Sequence, residues 1–231
     1  MNICVLGASG FVGRNLVKDL GARGVGRQDI DLLDSKAVDS FFELNSFDTV
    51  IHCGVIGGSR LRTDGPAVFF DNIRMFENVA RHAAKFKRLV WFSSGAAVTA
   101  RDTPYGFSKY ICEKLAKLIP NCQVFRIYGC YGTDEPSTRF ISTCLREPVH
   151  IHKNIYFDFF WVGDIHTVIT NFTICDGKVR DLVYKTKRRL SDVAALNNAN
   201  IKNIECDDGP SYIGEFCEEI GVIDRLPVMI P

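Results

Sequence analysis

Tyr105 and Lys109 stand four apart in Pro104-Tyr105-Gly106-Phe107-Ser108-Lys109, a stretch that opens a helix running to about Leu118, so the phenol and the ammonium share one helical face. A free phenol, with a pKa of about 10, is a poor base at neutral pH. A neighbouring ammonium favours the phenolate and brings it towards working pH. Shortly before, Arg88-Leu89-Val90-Trp91-Phe92-Ser93-Ser94-Gly95 reads as a buried strand with hydroxyls at its C-terminal end. A serine there can hydrogen-bond an oxygen that reacts. Tyrosine, lysine and serine so disposed suit proton transfer to or from a hydroxyl or carbonyl oxygen, with Ser94, Tyr105 and Lys109 as candidate catalytic groups.

Such a trio needs a scaffold and a redox partner, and the N-terminus offers one. Asn2 to Leu6 is a short apolar run suited to a buried parallel strand, Gly7, Gly10 and Gly13 follow, and Asn15 to Leu20 resumes a helical pattern. Strand, glycine turn and helix in that order make an anion site: the helix start offers unpaired N–H groups, and missing side chains admit a pyrophosphate. Gly7, Ser9, Gly10, Phe11, Val12 and Gly13 are therefore candidate dinucleotide contacts, spaced G-x-x-G-x-x-G. Gly21 to Arg27 leaves room for a short second strand that ends in no carboxylate, and Arg27 favours NADP over NAD as the cofactor. Ser35 is the expected N-cap of a helix from Lys36 to Leu44. Phe47 to Gly54 is a further buried strand whose end places Cys53, Gly54 and Val55 beside the cofactor. The polar, glycine-containing loop from Ile56 to Asp64 reads as a substrate-side loop, with Gly58 and Ser59 in it. Asp71 to Lys85 and Ser211 to about Ile220 read as helices, and Ile201 onward as a strand.

Length and composition bound the rest. The 231 residues, 46% hydrophobic, suit one α/β domain with a small appendage. A net charge of +1 gives no electrostatic case for nucleic acid or an anionic membrane surface, and the basic cluster Lys185 to Arg189 reads as a solvated turn. The sequence contains no run of 18 apolar residues and no signal-peptide pattern. Nine scattered cysteines, an odd number without C-x-x-C, indicate neither a disulfide framework nor a zinc site and fit a reduced, cytoplasmic protein without a metal.

Gly7-x-x-Gly10-x-x-Gly13, Ser93-Ser94-Gly95-Ala96 and Tyr105-x-x-x-Lys109 together resemble the extended short-chain dehydrogenase/reductases, the NAD-dependent epimerase/dehydratase group. Arg126-Ile127-Tyr128-Gly129-Cys130-Tyr131-Gly132 is similar to that family's R-x-x-N-x-Y-G segment, and Phe157-Asp158-Phe159-Phe160-Trp161-Val162-Gly163-Asp164 to its R-D-F-x-x-V-D-D stretch. Asp31-Leu32-Leu33-Asp34, Val55-Ile56-Gly57-Gly58 and Phe70-Asp71-Asn72 are most similar to the GDP-L-fucose synthase branch. The resemblance implies a Rossmann fold and adds Asp31, Leu32 and Asn72 to the cofactor contacts. It implies that Lys109 hydrogen-bonds the nicotinamide ribose, and that Ser94 and Gly95 meet a nucleotide-sugar substrate. Arg139 and Lys153 are candidate cations for that substrate's diphosphate. It further implies a homodimer formed through the helix of Tyr105 and the one over Asp71 to Lys85.

The departures narrow the chemistry. The cysteine and histidine that fucose synthase-like enzymes use for epimerisation fall on Ala96 and near Arg139, so reduction of a ketone is favoured over epimerisation by that route. Gly129 stands for the family's asparagine and Phe157 for its arginine. A gap placed one residue differently would put Gly95 at the serine position. Tyr105 also follows Ser94 more closely than is usual, which removes part of the wall over the sugar.

The expectation is thus an α/β, doubly wound parallel sheet with a small, shortened C-terminal substrate cap: residues 1–132 and 156–170 form the dinucleotide-binding domain, and 133–155 and 171–231 the cap. The expected function is NAD(P)-dependent reduction, or epimerisation, of a 4-keto-6-deoxy nucleotide sugar. The alternative is a catalytically weak NAD(P)-binding sensor or interaction module.

Overall fold

β1 (Ile3–Leu6) is buried along its whole length because helices cover both faces of the sheet it joins. The computed structural model describes residues 1–59, 61–207 and 209–229. After β1 come α1 (Phe11–Leu20), β2 (Arg23–Val25), α2 (Ser35–Leu44) and β3 (Thr49–His52). The middle of the chain supplies α3 (Pro66–Ala80), β4 (Arg88–Ser94), α4 (Ala96–Thr99), α5 (Pro104–Ala116) and β5 (Cys122–Ile127). The remainder holds β6 (Gly129–Tyr131), α6 (Phe140–Cys144), β7 (Val149–Ile151), β8 (Phe159–Trp161), α7 (Ile165–Asn171), β9 (Val179–Leu182), α8 (Leu190–Leu196) and β10 (Ile201–Ile204).

The main sheet runs β2-β1-β3-β4-β5-β9, parallel at every pairing. Alternate strand residues feed two cores. Leu6, Val50, Leu89 and Trp91 pack with Val38, Phe42, Phe76, Val79 and Cys112 of α2, α3 and α5. Val5, Ile51, Val90 and Phe92 pack with Leu16, Ile165, Val168 and Ile169 of α1 and α7. The chain leaves β1 for β2 on one side and crosses to β3 on the other. Strand order therefore reverses between the C-terminal ends of β1 and β3, where open α/β sheets bind ligands.

Several local expectations change. Asp34, not Ser35, caps α2, because its carboxylate accepts from Lys36 N and Ala37 N at 2.9 and 3.1 Å. The helix expected over Asp71 to Lys85 starts earlier, at Pro66 after the Gly65 N-cap, and ends at Ala80. Within 171–231, expected to lie wholly in the cap, β9 instead joins the main sheet beside β5. Outside the main sheet stand two small parallel ladders, β6 with β8 and β7 with β10.

The helix expected over Ser211 to Ile220 is reduced to one 3-10 turn, Glu218–Ile220. Side chains from elsewhere hold this segment extended: Gly214 N donates to Asp158 at 2.8 Å and Glu215 N to Asp181 at 2.8 Å. Two carboxylates thus take N–H groups that a helix would have used. The basic cluster is not simply solvated either. Lys187 pairs with the buried Asp158 at 2.7 Å, and Arg189 lies over the Tyr156 ring and donates to Asn154 O.

Candidate active site

The glycine turn is built by exclusion. A Cβ on Gly7, whose φ is +76°, would stand 2.6 Å from Gly54 N, so the turns after β1 and β3 touch backbone to backbone. A Cβ on Gly13 would stand 2.3 Å from Gly7 O, so α1 can approach the turn only with glycine there. Gly10 differs: its Cβ would meet Gly7 O at 3.4 Å, an ordinary contact. Gly10 is the N-cap of α1 and offers no side-chain cap, so the first N–H groups of this helix stay available to an anion. Ser9 and Gly10 are exposed on this turn, while Phe11 is buried and Val12 half-buried below it. This cradle fits a dinucleotide pyrophosphate.

At the end of β2 stands a group that sequence reasoning missed. Asp29 folds back so that Gly26 N donates to its carboxylate at 2.7 Å, and that carboxylate and Ser9 both border the Cβ side of Gly26. An acid does therefore close the second strand; the signal was the four-residue turn Gly26 to Asp29, too short to resemble a strand end. Arg27 is 77% exposed along its side chain and reaches Asp31 at 3.7 Å. Asp31 otherwise accepts from Leu33 N. Leu32 is buried, and its methyl would lie 2.8 Å from a Cβ on Gly54.

Tyr105 and Lys109 lie on α5, whose first turn is fixed by Pro104 at N1 and by Thr103 Oγ1 accepting from Gly106 N at 3.1 Å. A Cβ on Gly106 would stand 2.0 Å from Ala100 O, so the short 94–105 connection, including the single turn α4, is pressed against α5. The two strand-end serines divide their roles. Ser93 donates to Glu113 at 2.6 Å within a buried group in which Arg126 also binds Glu113 and Asp181. Ser94 faces the opposite way, accepts from Ala96 N at 3.2 Å and has the Tyr212 hydroxyl 3.3 Å from its Oγ. Gly95 carries no hydroxyl and packs on the Tyr128 ring, where a Cβ would stand at 2.3 Å.

Burial pushes the Tyr105 phenol up to about 12, against the pull of the Ser94 hydrogen bond and the Arg139 charge, with Tyr212 and Asp64 raising it further. Lys109 is buried, donates to Phe92 O at 2.9 Å, and lies 4.8 Å over Trp91 and 5.8 Å from the Tyr105 ring centre. Burial draws its ammonium down to about 8. In the free protein the phenol is thus held above its ordinary value and not brought towards working pH. Cys53 lies near Lys109, and its thiol is pushed up to about 12 by burial, so it stays neutral. Val55 is exposed after it.

The loop after Val55 reaches the same place. Gly57 and Gly58 both have positive φ and wrap Asp64, to which Gly58 N donates at 2.9 Å. A Cβ on Gly58 would stand 2.7 Å from the Tyr105 ring, so this loop lies directly on the phenol. Ser59 is exposed and accepts from Leu61 N. Asn72 pins the loop rather than facing outward: it exchanges hydrogen bonds with Ile56 N and O at 3.0 and 2.9 Å.

The two expected diphosphate cations part company. Arg139 lies 5.1 Å over the Phe11 ring and donates to Cys130 O at 2.7 Å, so it stands beside the glycine turn, and its charge draws the Tyr105 phenol down. Lys153 is exposed beyond β7 with its stem beside Gly209, and among the described residues no contact joins it to Tyr105 or Ser94. Phe157 and Gly129, the two departures, are complementary: a Cβ on Gly129 would stand 2.7 Å from the Phe157 ring. Tyr212, which no sequence pattern marked, brings its hydroxyl to 3.3 Å from Ser94 Oγ.

Residues 3–156 match the NAD dependent epimerase/dehydratase family. The chain belongs to that family. Its cofactor is accordingly NAD or NADP. A probable UDP-arabinose 4-epimerase of Arabidopsis thaliana is 32% identical over 103 residues, 37% of this chain. The chain spans a quarter (25%) of that relative's length. Solved structures share the fold. The dTDP-4-dehydrorhamnose reductase of Bacillus anthracis, in complex with NADP, superposes with a TM-score of 0.79 at 15% identity, covering 92% of this chain and 88% of that one. The UDP-glucose 4-epimerase of Thermotoga maritima, with UDP-glucose, gives 0.76 at 17% identity over the same shares, 92% and 88%. Among the described residues, no helix is long and apolar enough to cross a membrane.

Proposed function

We propose that this family member is an oxidoreductase of nucleotide-activated sugars whose favoured reaction is reduction of a 4-keto-6-deoxy sugar. The observation that carries the reading is the convergence of Ser94, at the C-terminal end of β4, with Tyr105, in the first turn of α5, and with Lys109 buried one turn along and donating to Phe92 O. Gly7, Gly10 and Gly13 hold the pyrophosphate, the Asp29 carboxylate accepts from the adenosine ribose, and Lys109 serves the nicotinamide ribose. When bound, the nicotinamide supplies the hydride. Tyr105 passes its proton to the carbonyl oxygen, and Ser94 donates to the same oxygen and shares its developing charge. Arg139 adds a positive charge on this side. Ala96 carries no acid or base, which supports reduction without epimerisation at a neighbouring carbon.

An acid at the end of β2 suits two ribose hydroxyls and repels a 2′-phosphate. We therefore favour NAD over NADP, reversing the preference that Arg27 alone suggested. The proposed assembly is a homodimer through α3 and α5, on which Phe70 and Phe107 are 62% and 43% exposed beside a cavity of about 260 Å³.

A second reading, a dinucleotide-binding sensor with little turnover, is favoured by the way Gly58 lies on Tyr105 and Tyr212 meets Ser94. Thermal unfolding with NADH, NADPH, UDP, GDP and dTDP, singly and paired, separates the two, because a ligand of the native state alone raises the melting temperature. The enzyme reading expects a rise with NADH that one nucleoside diphosphate increases. A rise with NADH and none with any diphosphate supports the sensor. No rise with either dinucleotide overturns both.

A further inference from the structure

Two guanidiniums meet over the residue that begins α1. Phe11 follows the uncapped Gly10, and Arg14, one turn along, stands 5.5 Å from the centre of its ring. Arg139, the residue before α6, stands 5.1 Å from the same centre. The start of a helix already carries about half a positive charge, and the first turn of α1 contains no acid to balance it. Glu135 offsets part of this charge. It is buried, accepts from Ser142 N at 2.7 Å, and opposes Arg139 in its effect on the Cys130 thiol, where Arg139 is the stronger. The helix terminus and the two guanidiniums leave the glycine turn positive, an arrangement that costs stability in the free protein and favours a bound anion.

We propose that Arg139 is a ligand of the dinucleotide's pyrophosphate, at the phosphate nearer the nicotinamide, and does not serve the substrate's diphosphate. The inference rests on the reading of Gly7 to Gly13 as the dinucleotide cradle. Arg139 is held ready for that place. Its Nη1 donates to Cys130 O at 2.7 Å, its backbone N–H to Pro136 O at 2.9 Å, and its carbonyl accepts from Thr143 N at 2.8 Å. Arg14 donates to Asp134 O, and the tip of the Phe11 ring would lie 3.3 Å from a Cβ on Gly132. The segment from Cys130 to Arg139 is thus stitched to the start of α1, so its guanidinium needs little further ordering to bind. A guanidinium grips phosphate oxygens through a planar fork of N–H donors. On the cradle reading the dinucleotide runs from Asp29, at the adenosine end, past the glycine turn to Tyr105, where the Arg139 charge is felt. The phosphate nearer the nicotinamide is therefore the one assigned to Arg139.

The test is a set of dissociation constants on the full chain, with no turnover required. NADH and ADP-ribose both carry the pyrophosphate, whereas AMP carries only the phosphate next to adenosine. Arg139→Gln is expected to bind NADH and ADP-ribose about tenfold more weakly, as the loss of hydrogen bonds to a charged group implies, and AMP within about twofold of native. Arg139→Lys keeps the charge without the fork, and its NADH affinity should fall between the two. It decides the matter should the glutamine variant not fold: a lysine variant with native NADH affinity overturns the proposal. Undiminished NADH binding in Arg139→Gln overturns it as well, as does an equal loss for AMP, which marks a disturbed cradle. A loss confined to UDP, GDP or dTDP, measured at saturating NADH, returns Arg139 to the substrate. The underlying reading fails separately, by a native protein that binds none of NADH, NADPH and ADP-ribose.

Discussion

At the scale of single residues, the site holds charge where burial opposes it. Lys109 is buried and its pKa falls from 10.5 to about 8, so between those values the unfolded chain binds more protons than the folded one. The resulting cost is fully present below pH 8 and fades as pH rises towards 10.5. Lys109→Met is therefore expected to be more stable than the native protein at pH 7, by on the order of 1–3 kcal/mol, while losing turnover. Denaturant unfolding at a series of pH values should show that advantage vanish near pH 10.5; an equal advantage at all pH values would contradict an origin in the buried ammonium. Asp29 makes the second prediction at this scale. NADH should bind at least about tenfold more tightly than NADPH, ~1.4 kcal/mol, and Asp29→Asn should remove most of that difference in a titration of nicotinamide fluorescence. A native preference for NADPH would refute the role of this carboxylate.

At the scale of elements, the turn from β1 into α1 allows a sharp comparison. Gly13→Ala forces a Cβ to 2.3 Å from a backbone oxygen that cannot move aside, whereas Gly10→Ala meets the same oxygen at 3.4 Å. Gly13→Ala should lose roughly 1–3 kcal/mol of stability. Gly10→Ala should keep the native melting temperature yet bind NADH at least about tenfold more weakly, because it adds a methyl at the N-cap of the helix that is to receive the anion. If both variants bind NADH normally, the turn is a packing device only.

The elements legible in the sequence are those with a local cause: the apolar run of β1, the glycine turn, the strand that ends at Ser94, the helix opened by Pro104. What was not legible has long-range causes. Asp158 and Asp181 hold 211–215 extended from more than thirty positions away, overriding its helical pattern. Tyr212 reaches Ser94 for the same reason. That Ser93 would be spent on Glu113 while the Ser94 hydroxyl meets Tyr212 follows from the pleat and from partners 20 and 118 positions away. Asp29 was overlooked because a turn, not a strand, brings it to the end of β2.

At the scale of the molecule, the sheet, the loop with Asp64 and the C-terminal segment converge on one oxygen-handling group from three directions. The outer faces of α3 and α5 leave large side chains in water: Phe69 stacks on Phe107 at 5.1 Å, with Phe70 edge-on at 5.2 Å. A pair of chains joined there would cover these rings. Sedimentation velocity should show a dimer for the native chain and a monomer for Phe107→Asp with an unchanged far-ultraviolet spectrum; a monomeric native chain would dispose of the dimer. The central claim is that Tyr105 moves the proton while the glycine turn holds the dinucleotide. It is tested most directly by comparing native protein and Tyr105→Phe for NADH oxidation with UDP-, GDP- and dTDP-linked 4-keto-6-deoxy sugars, alongside the NADH dissociation constant. The expected result is turnover of one of these sugars that falls about 10²–10⁴-fold in the variant, with NADH affinity within about twofold of native. Undiminished turnover in Tyr105→Phe, or turnover of none of the three by the native protein, would contradict that claim.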